Sequence, residues 1–401
     1  MLTRKQYLLC TLLVCFAAST TLAQASMAEF QQVLREKAAL EERDFAALQL
    51  NQPVVRLVPT SNKREVAVTG LVNINTSAED FLRSYRDSML QKSNAAILEI
   101  GRFGPEPALA DIEGLSLETR DIEDLKECVA GDCQVKLSAP MIERFRKEVD
   151  WAAPDYQLRA TNLFKEMLVA YIKDYRARGE AALIEYSDKS DRVRLANEQR
   201  ELSSAGGYIN SLLADTKSGL QLIEETLVWS KIKFGLKPVI AVNHISIYKR
   251  NSGVGPQVLV ASKQIYANHY FNAFHALTAF VNVPGAAYLV YENRSRADGL
   301  EGPFGKIKRG VVEKKALEGL RGIIAQSKAS LEGPTLTAAT TAEFSANYSD
   351  GWGHRLFGGI RPLLWLLVLS AIIALLVLGR RRADSATAAK GKALKPESVK
   401  S

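Results

Sequence analysis

The chain has 401 residues and an apolar stretch at each end, leaving roughly 330 residues between them, enough for one large domain or two modest ones with a full core. Its formal net charge is +8, but Arg4 and Lys5 at the front and seven positives against Asp384 and Glu397 after Gly379 leave only about +1 for everything between. The basic balance therefore belongs to the ends, and nucleic acid is excluded as the expected partner.

Residues 1–25 run from Arg4 and Lys5 through an apolar stretch, Tyr7 to Ala18, to the small residues Ala23-Gln24-Ala25. That order predicts a signal peptide cleaved after Ala25, with an uncleaved anchor helix as the alternative. Val14 before Cys15 and Leu9 before Cys10 are too large for a lipoprotein signal. Met27 to Leu50 has helical spacing, with Phe30, Val33, Leu34, Ala38 and Leu40 on one side, and predicts an N-terminal helix within residues 26–52 that Asn51-Gln52-Pro53 breaks.

An α+β domain is expected over residues 53–332. Val66, Val68, Gly70, Val72 and Ile74 alternate and predict a strand over Lys63–Ile74. Asn75-Thr76-Ser77 then caps a helix over Ala78–Gln91. Short strands are expected at Ala95–Phe103, Gly114–Glu118 and Gln134–Ser138. Cys128 and Cys133 are the only cysteines left after cleavage, and in an oxidising compartment they predict a local disulfide contributing about 2 kcal/mol across so short a loop. Tyr156 to Gly179 reads as a long helix in which Leu163, Met167, Tyr171 and Tyr175 form a core stripe.

From Val239 the pattern turns to strands: Val239–Tyr248, Gln257–Tyr266, Tyr270–Val283 and Ala286–Glu292, joined by Asn251–Pro256 and Pro284-Gly285 into an antiparallel meander. Arg309 to Leu331 then carries an apolar stripe of Val312, Ala316, Leu320, Ile323 and Ile324, which should pack on the sheet. Residues 333–360, rich in Thr, Ala, Ser and Gly, read as a flexible tether. Pro362 to Leu378 is uncharged and sits at the short limit for crossing about 30 Å of hydrocarbon, which predicts a transmembrane helix over 361–379. Arg380-Arg381-Arg382 opens a basic tail, 380–401, whose charge places it on the cytoplasmic side near anionic headgroups. The body of the chain is then extracytoplasmic, in the periplasm if the cell is Gram-negative.

A leading strand, a capped helix, a later meander and a long closing helix form an order that resembles the helix-grip fold of the START-like superfamily of polyketide cyclases and lipid-transfer domains. The resemblance is one of pattern and leaves Asp121–Lys237 unexplained. It implies a curved antiparallel sheet packed on the long C-terminal helix, with an apolar cavity between them. Ala261–Phe271 and Tyr291–Arg296 also look like segments of uncharacterised exported bacterial proteins.

The polar residues most concentrated among apolar neighbours are His244, Lys263, Tyr266, His269, Tyr270 and His275. Alternation puts His244, Ser246 and Tyr248 on one strand face and Ile245 and Ile247 on the other, so one face is a candidate for lining a cavity. His244, Tyr248, Tyr266 and His275 are the ligand-binding candidates. Lys263, His269 and Tyr270 are the catalytic candidates, because desolvation lowers a lysine pKa and yields an acid/base group. Ordinary hydrogen-bonded or exposed strand residues are the plain alternative. His269 and His275 lack the spacing of a metal pair, and the acids Asp111, Glu113, Asp121, Glu123 and Asp124 lack a calcium loop's repeat, so no metal is expected. Neither a nucleophile elbow nor a phosphate loop occurs, and no cofactor is expected. The expected function is a membrane-anchored extracytoplasmic module that binds a lipid or other apolar small molecule. The alternatives are an enzyme of that fold, cyclase or hydrolase-like, and a scaffold for envelope proteins.

Overall fold

A computed structural model describes residues 27–91, 97–204, 219–233, 237–250, 255–301 and 305–332. The segments read above as signal peptide, tether, transmembrane helix and basic tail lie outside the described residues. Among the described residues no helix is long and apolar enough to cross a membrane.

The single helix expected over Met27–Leu50 is two, residues 27–38 (α1) and Glu42–Gln49 (α2). Ala39 between them takes a left-handed φ of 55°, which no helix accommodates. The Glu41 N–H donates to the Asp44 carboxylate at 2.8 Å to start α2. Strands β1 (Val54–Val58) and β2 (Glu65–Asn73) then pair antiparallel. Ser77 caps α3 (Ala78–Ser88), its hydroxyl accepting from Asp80 N at 3.0 Å. Strand β3 (Ile97–Phe103) follows.

Between β3 and the next long strand the chain makes a helical excursion: α4 (Thr119–Lys126), α5 (Ala139–Glu148), α6 (Tyr156–Arg178), the ribbon β4 (Glu185–Tyr186) with β5 (Val193–Arg194), and α7 (Leu195–Ser204). The strands expected at Gly114–Glu118 and Gln134–Ser138 do not form. Their apolar residues are buried as irregular chain, and Lys136 N and Leu137 O bond instead to Asn268 O and Ser187 N.

The meander has one strand more than expected: β6 (Gln221–Ile232), β7 (Val239–Lys249), β8 (Gly255–Ala267), β9 (Phe271–Val283) and β10 (Ala286–Ala297), followed by α8 (Gly305–Glu332). All pairings are antiparallel, and the eight long strands lie in the order β1-β2-β10-β9-β8-β7-β6-β3. The α+β class and a large antiparallel sheet are as expected.

Helices cover both faces of that sheet. On the closing face, α8 lays Val312, Ala316, Leu320, Ile323 and Ile324 over Val66, Val68 and Val72, while Phe81 of α3 stacks on Phe280 at 5.8 Å. On the opposite, insert face, Phe30, Leu34, Phe45 and Leu48 cover Leu71, Leu259, Leu277 and Val290, and α4–α7 cover Leu227, Trp229, Val242, Ile265 and Tyr266. Past the pair Lys263 and His275, β8 and β9 part. Gln199 of α7 fills the gap, its amide donating to Gln264 O at 2.6 Å and Phe274 O at 3.2 Å, while the Ala267 N–H donates to Tyr186 Oη at 2.9 Å. The helical excursion thus replaces missing ladder bonds.

Helix α8 sits on β2 at contact distance. A Cβ on Gly70 would lie 2.1 Å from Ile324 Cδ1 and 3.1 Å from Leu320 Cδ2. Gly70→Val is expected to lower the stability by about 1–3 kcal/mol through overpacking. In chemical denaturation, Gly70→Val with Ile324→Ala should lose less than the two single changes summed; strict additivity would refute the contact.

Candidate functional site

Cys128 and Cys133 form the expected disulfide, their Cα atoms 4.6 Å apart. Gly131 turns the loop at φ 93°, and Gly131 N and Cys133 N donate to Ser187 O and Asp188 O, so the bridge fastens this loop to β4's exit.

The four ligand-binding candidates all face the insert, away from α8. The register sets Leu227, His244, Lys263, His275 and Arg294 side by side across β6–β10. Ile245 and Ile247 are the β7 residues that face α8 and α3. Tyr248 is half-buried beside the cluster under α1 and α2. Tyr266 is fully buried against Phe164, Tyr171 and Tyr186 and donates to Lys136 O at 3.1 Å.

The catalytic candidates do not converge. His269 is buried, with Nε2 3.0 Å from Asp121 Oδ2 and Nδ1 3.1 Å from Gln134 O. Tyr270 takes a left-handed φ of 60° at the β8–β9 turn, and its hydroxyl accepts from Lys237 N at 3.1 Å. Lys263 belongs to another group, in which it pairs with Glu180 at 3.0 Å, Tyr175 Oη lies 2.9 Å from His244 Nδ1, and His244 Nε2 lies 3.1 Å from Glu225. The expected lowering of the Lys263 pKa is reversed. Burial opposes its charge, but Tyr175 and Glu180 outweigh that and raise the pKa. His244 is lowered, chiefly by burial and despite Glu225. Sequence reasoning placed Tyr175 in a core stripe and Asp121 in an acidic cluster and did not single out Glu225; their partners here are distant or on another strand. A groove of about 370 Å³ passes Glu180, Glu185, Arg194 and Arg200.

Charge on the insert face comes in matched sets. Glu65 holds Arg294 at 2.7 Å and Arg296 at 3.1 Å, and Arg296 also reaches Glu198 and Glu201. Lys136 lies between Asp188 and Asp298, and Lys189 closes that set at 2.5 Å from Asp298. Burial alone would raise the Asp298 pKa, but the two lysines bring it down to about 2. Lys237 bridges Asp121 and Asp124, and Lys231 bridges Glu99 and Glu118.

The closing face differs in kind. Every buried charged side chain among the described residues lies on the insert face or in elements packed there. The closing face instead holds Ser262, Thr278, Tyr291, Asn293 and Ser295, all neutral and buried. The register places Ser262 and Asn293 on either side of Ala276, and Ser295 beside Phe274. The Asn293 amide donates to Tyr291 Oη at 3.4 Å. Ser262 Oγ, Asn293 Oδ1 and Ser295 Oγ have no hydrogen-bond partner among the described residues, though these residues are only 5%, 1% and 1% exposed. Unpartnered buried polar groups cost about 1–3 kcal/mol each, so three of them mark this patch as the candidate site. One signal could have found it: in Asn293-Arg294-Ser295-Arg296 the neutral and charged residues alternate, which in a strand sends them to opposite faces. Compared with family models, curated proteins and solved structures, the chain finds no match.

His275 sits between Lys263 and Arg294, and burial first, then those two charges, press its pKa down to about 4. The unfolded chain protonates near 6.5, so stability is full above that pH and falls as the pH drops toward 4, by about 3 kcal/mol in all. Urea titrations at pH 7 and pH 4.5 should show that loss, and His275→Gln should shrink it; an unchanged difference would count against the assignment. Glu65→Ala takes the ionic partner from buried Arg294 and leaves Arg296 to Glu198 and Glu201, and is expected to cost about 3–5 kcal/mol, read from the shift in denaturation midpoint.

Proposed function

We propose that the chain is a membrane-tethered, extracytoplasmic binding module that holds a lipid or similar small molecule against the closing face, beneath α3 and α8. The observation that carries this reading is the group of buried, unpartnered polar atoms at Ser262, Asn293 and Ser295 within an otherwise apolar face. A packed core has no use for such groups, whereas a ligand with one polar end does. The long helix laid over β2 of the antiparallel sheet supports the helix-grip resemblance. The Cys128–Cys133 bridge supports an oxidising compartment. The uncharged stretch Pro362–Leu378 with the arginines after it supports the tether to a membrane.

The enzyme reading with Lys263, His269 and Tyr270 finds less support, because Lys263 is held charged by Glu180 and Tyr175 while His269 is committed to Asp121. Native mass spectrometry of the purified protein should reveal a stoichiometric small-molecule adduct that organic extraction removes, with a lowered Tm afterwards. A protein at its bare sequence mass, unchanged in Tm by extraction, would end the proposal.

A further inference from the structure

The chemistry of the closing face restricts the ligand beyond its being small and largely apolar, on the premise that the binding reading holds. Asn293 Oδ1 is a carbonyl oxygen and can only accept a hydrogen bond, while one N–H of the same amide donates to Tyr291 Oη. The Ser262 and Ser295 hydroxyls can donate or accept. What the patch lacks from an occupant is therefore at least one donor. It offers no cation: among the described residues no charged side chain is buried on this face. At its rim Arg86 is bound to Glu224 and Arg309 to Glu313. An ionised carboxylate or phosphate placed here would lose its water without gaining a counter-charge, and would set its oxygens against the Asn293 carbonyl. A hydroxyl or amide meets neither penalty. It donates to Asn293 Oδ1 and accepts from either serine.

The same face is apolar farther along the strands, where a hydrocarbon part would have to part Phe81 from Phe280. Two rows along the strands from the patch, Phe280 and Leu289 pair and carry the ring of Phe81, with Val72 next to Leu289 on β2. We propose that the closing face takes a neutral amphiphile bearing a hydroxyl or amide, with that end at Ser262, Asn293 and Ser295 and the hydrocarbon toward Phe81 and Phe280, and that it discriminates against acids and phosphates of the same chain length. The insert face, with every buried cation of the sheet, is screened from this site by the sheet itself.

The test uses the purified full chain, stripped by organic extraction, and three probes that share one acyl tail: monooleoylglycerol, oleate at pH 8 and oleoyl lysophosphatidate. Native mass spectrometry and competition titration read the binding. Monooleoylglycerol is expected to bind at least about tenfold more tightly than either anion, one lost or strained charge-free hydrogen bond being worth roughly that factor. Asn293→Leu should erase the preference; its effect on Tm sets the removed unpartnered acceptor against the lost donor to Tyr291 Oη. Should that variant fail to fold, Ser262→Ala carries the same expectation at a few-fold. Equal or tighter binding of oleate or the lysophosphatidate would overturn the neutral-ligand inference and leave the binding module standing. Binding of none of the three, with polar atoms met by buried water alone, would overturn both.

Discussion

A sheet covered on both faces has no solvent for the charges its strands carry, and this constraint orders most of what surrounds it. Glu65, His275, Glu292, Arg294 and Arg296 are all buried on the insert face. Isolated there, any one of the ionised groups would cost more than the domain's whole margin of stability. The acids of α7 and the basic and acidic residues of the excursion are what make their burial tolerable. His275 solves the problem differently, by remaining neutral between two cations. Once one face takes all the charge, the other is free to be largely apolar, with Ser262, Asn293 and Ser295 grouped in one patch of it.

The helical excursion is tied to the sheet by more than packing. Gln199 and Tyr186 supply hydrogen bonds to β8 and β9 where those strands part, and His269 and Lys237 tie the sheet's turn and strand entry to Asp121 of α4. Those bonds are direct substitutes for a ladder, so the layer cannot slide across the sheet without breaking them. The disulfide adds its restraint at the point where the excursion's irregular chain meets β4.

Sequence reasoning read well what local physics controls. Caps and a 3.6-residue period gave α3, α6 and α8, β-branched runs gave β7–β10, and the short spacing of Cys128 and Cys133 gave the bridge. It failed where burial is two-sided: β6 ends Leu-Val-Trp-Ser-Lys-Ile with no alternation, because each side chain meets a covered face. Ala39's left-handed turn has no compositional signal. The candidate histidines and Lys263 drew attention through their chemistry, but whether such groups work or merely pair depends on Glu180, Glu225 and Asp121, which no local window contains. The serines and asparagine of the closing face were invisible for the opposite reason, being unremarkable until strand register brought them together.

The excursion leaves the sheet at Phe103 on β3 and returns at Gln221 on β6, and β3 and β6 are neighbours. Pairing that edge requires the closure of a loop longer than many whole domains, at an entropic cost that only prior compaction of the loop can reduce. The excursion has the means to compact early, in long local helices and a bridge between cysteines five positions apart. Closing the β3 edge after the helical layer has compacted is the order that keeps this entropic cost lowest.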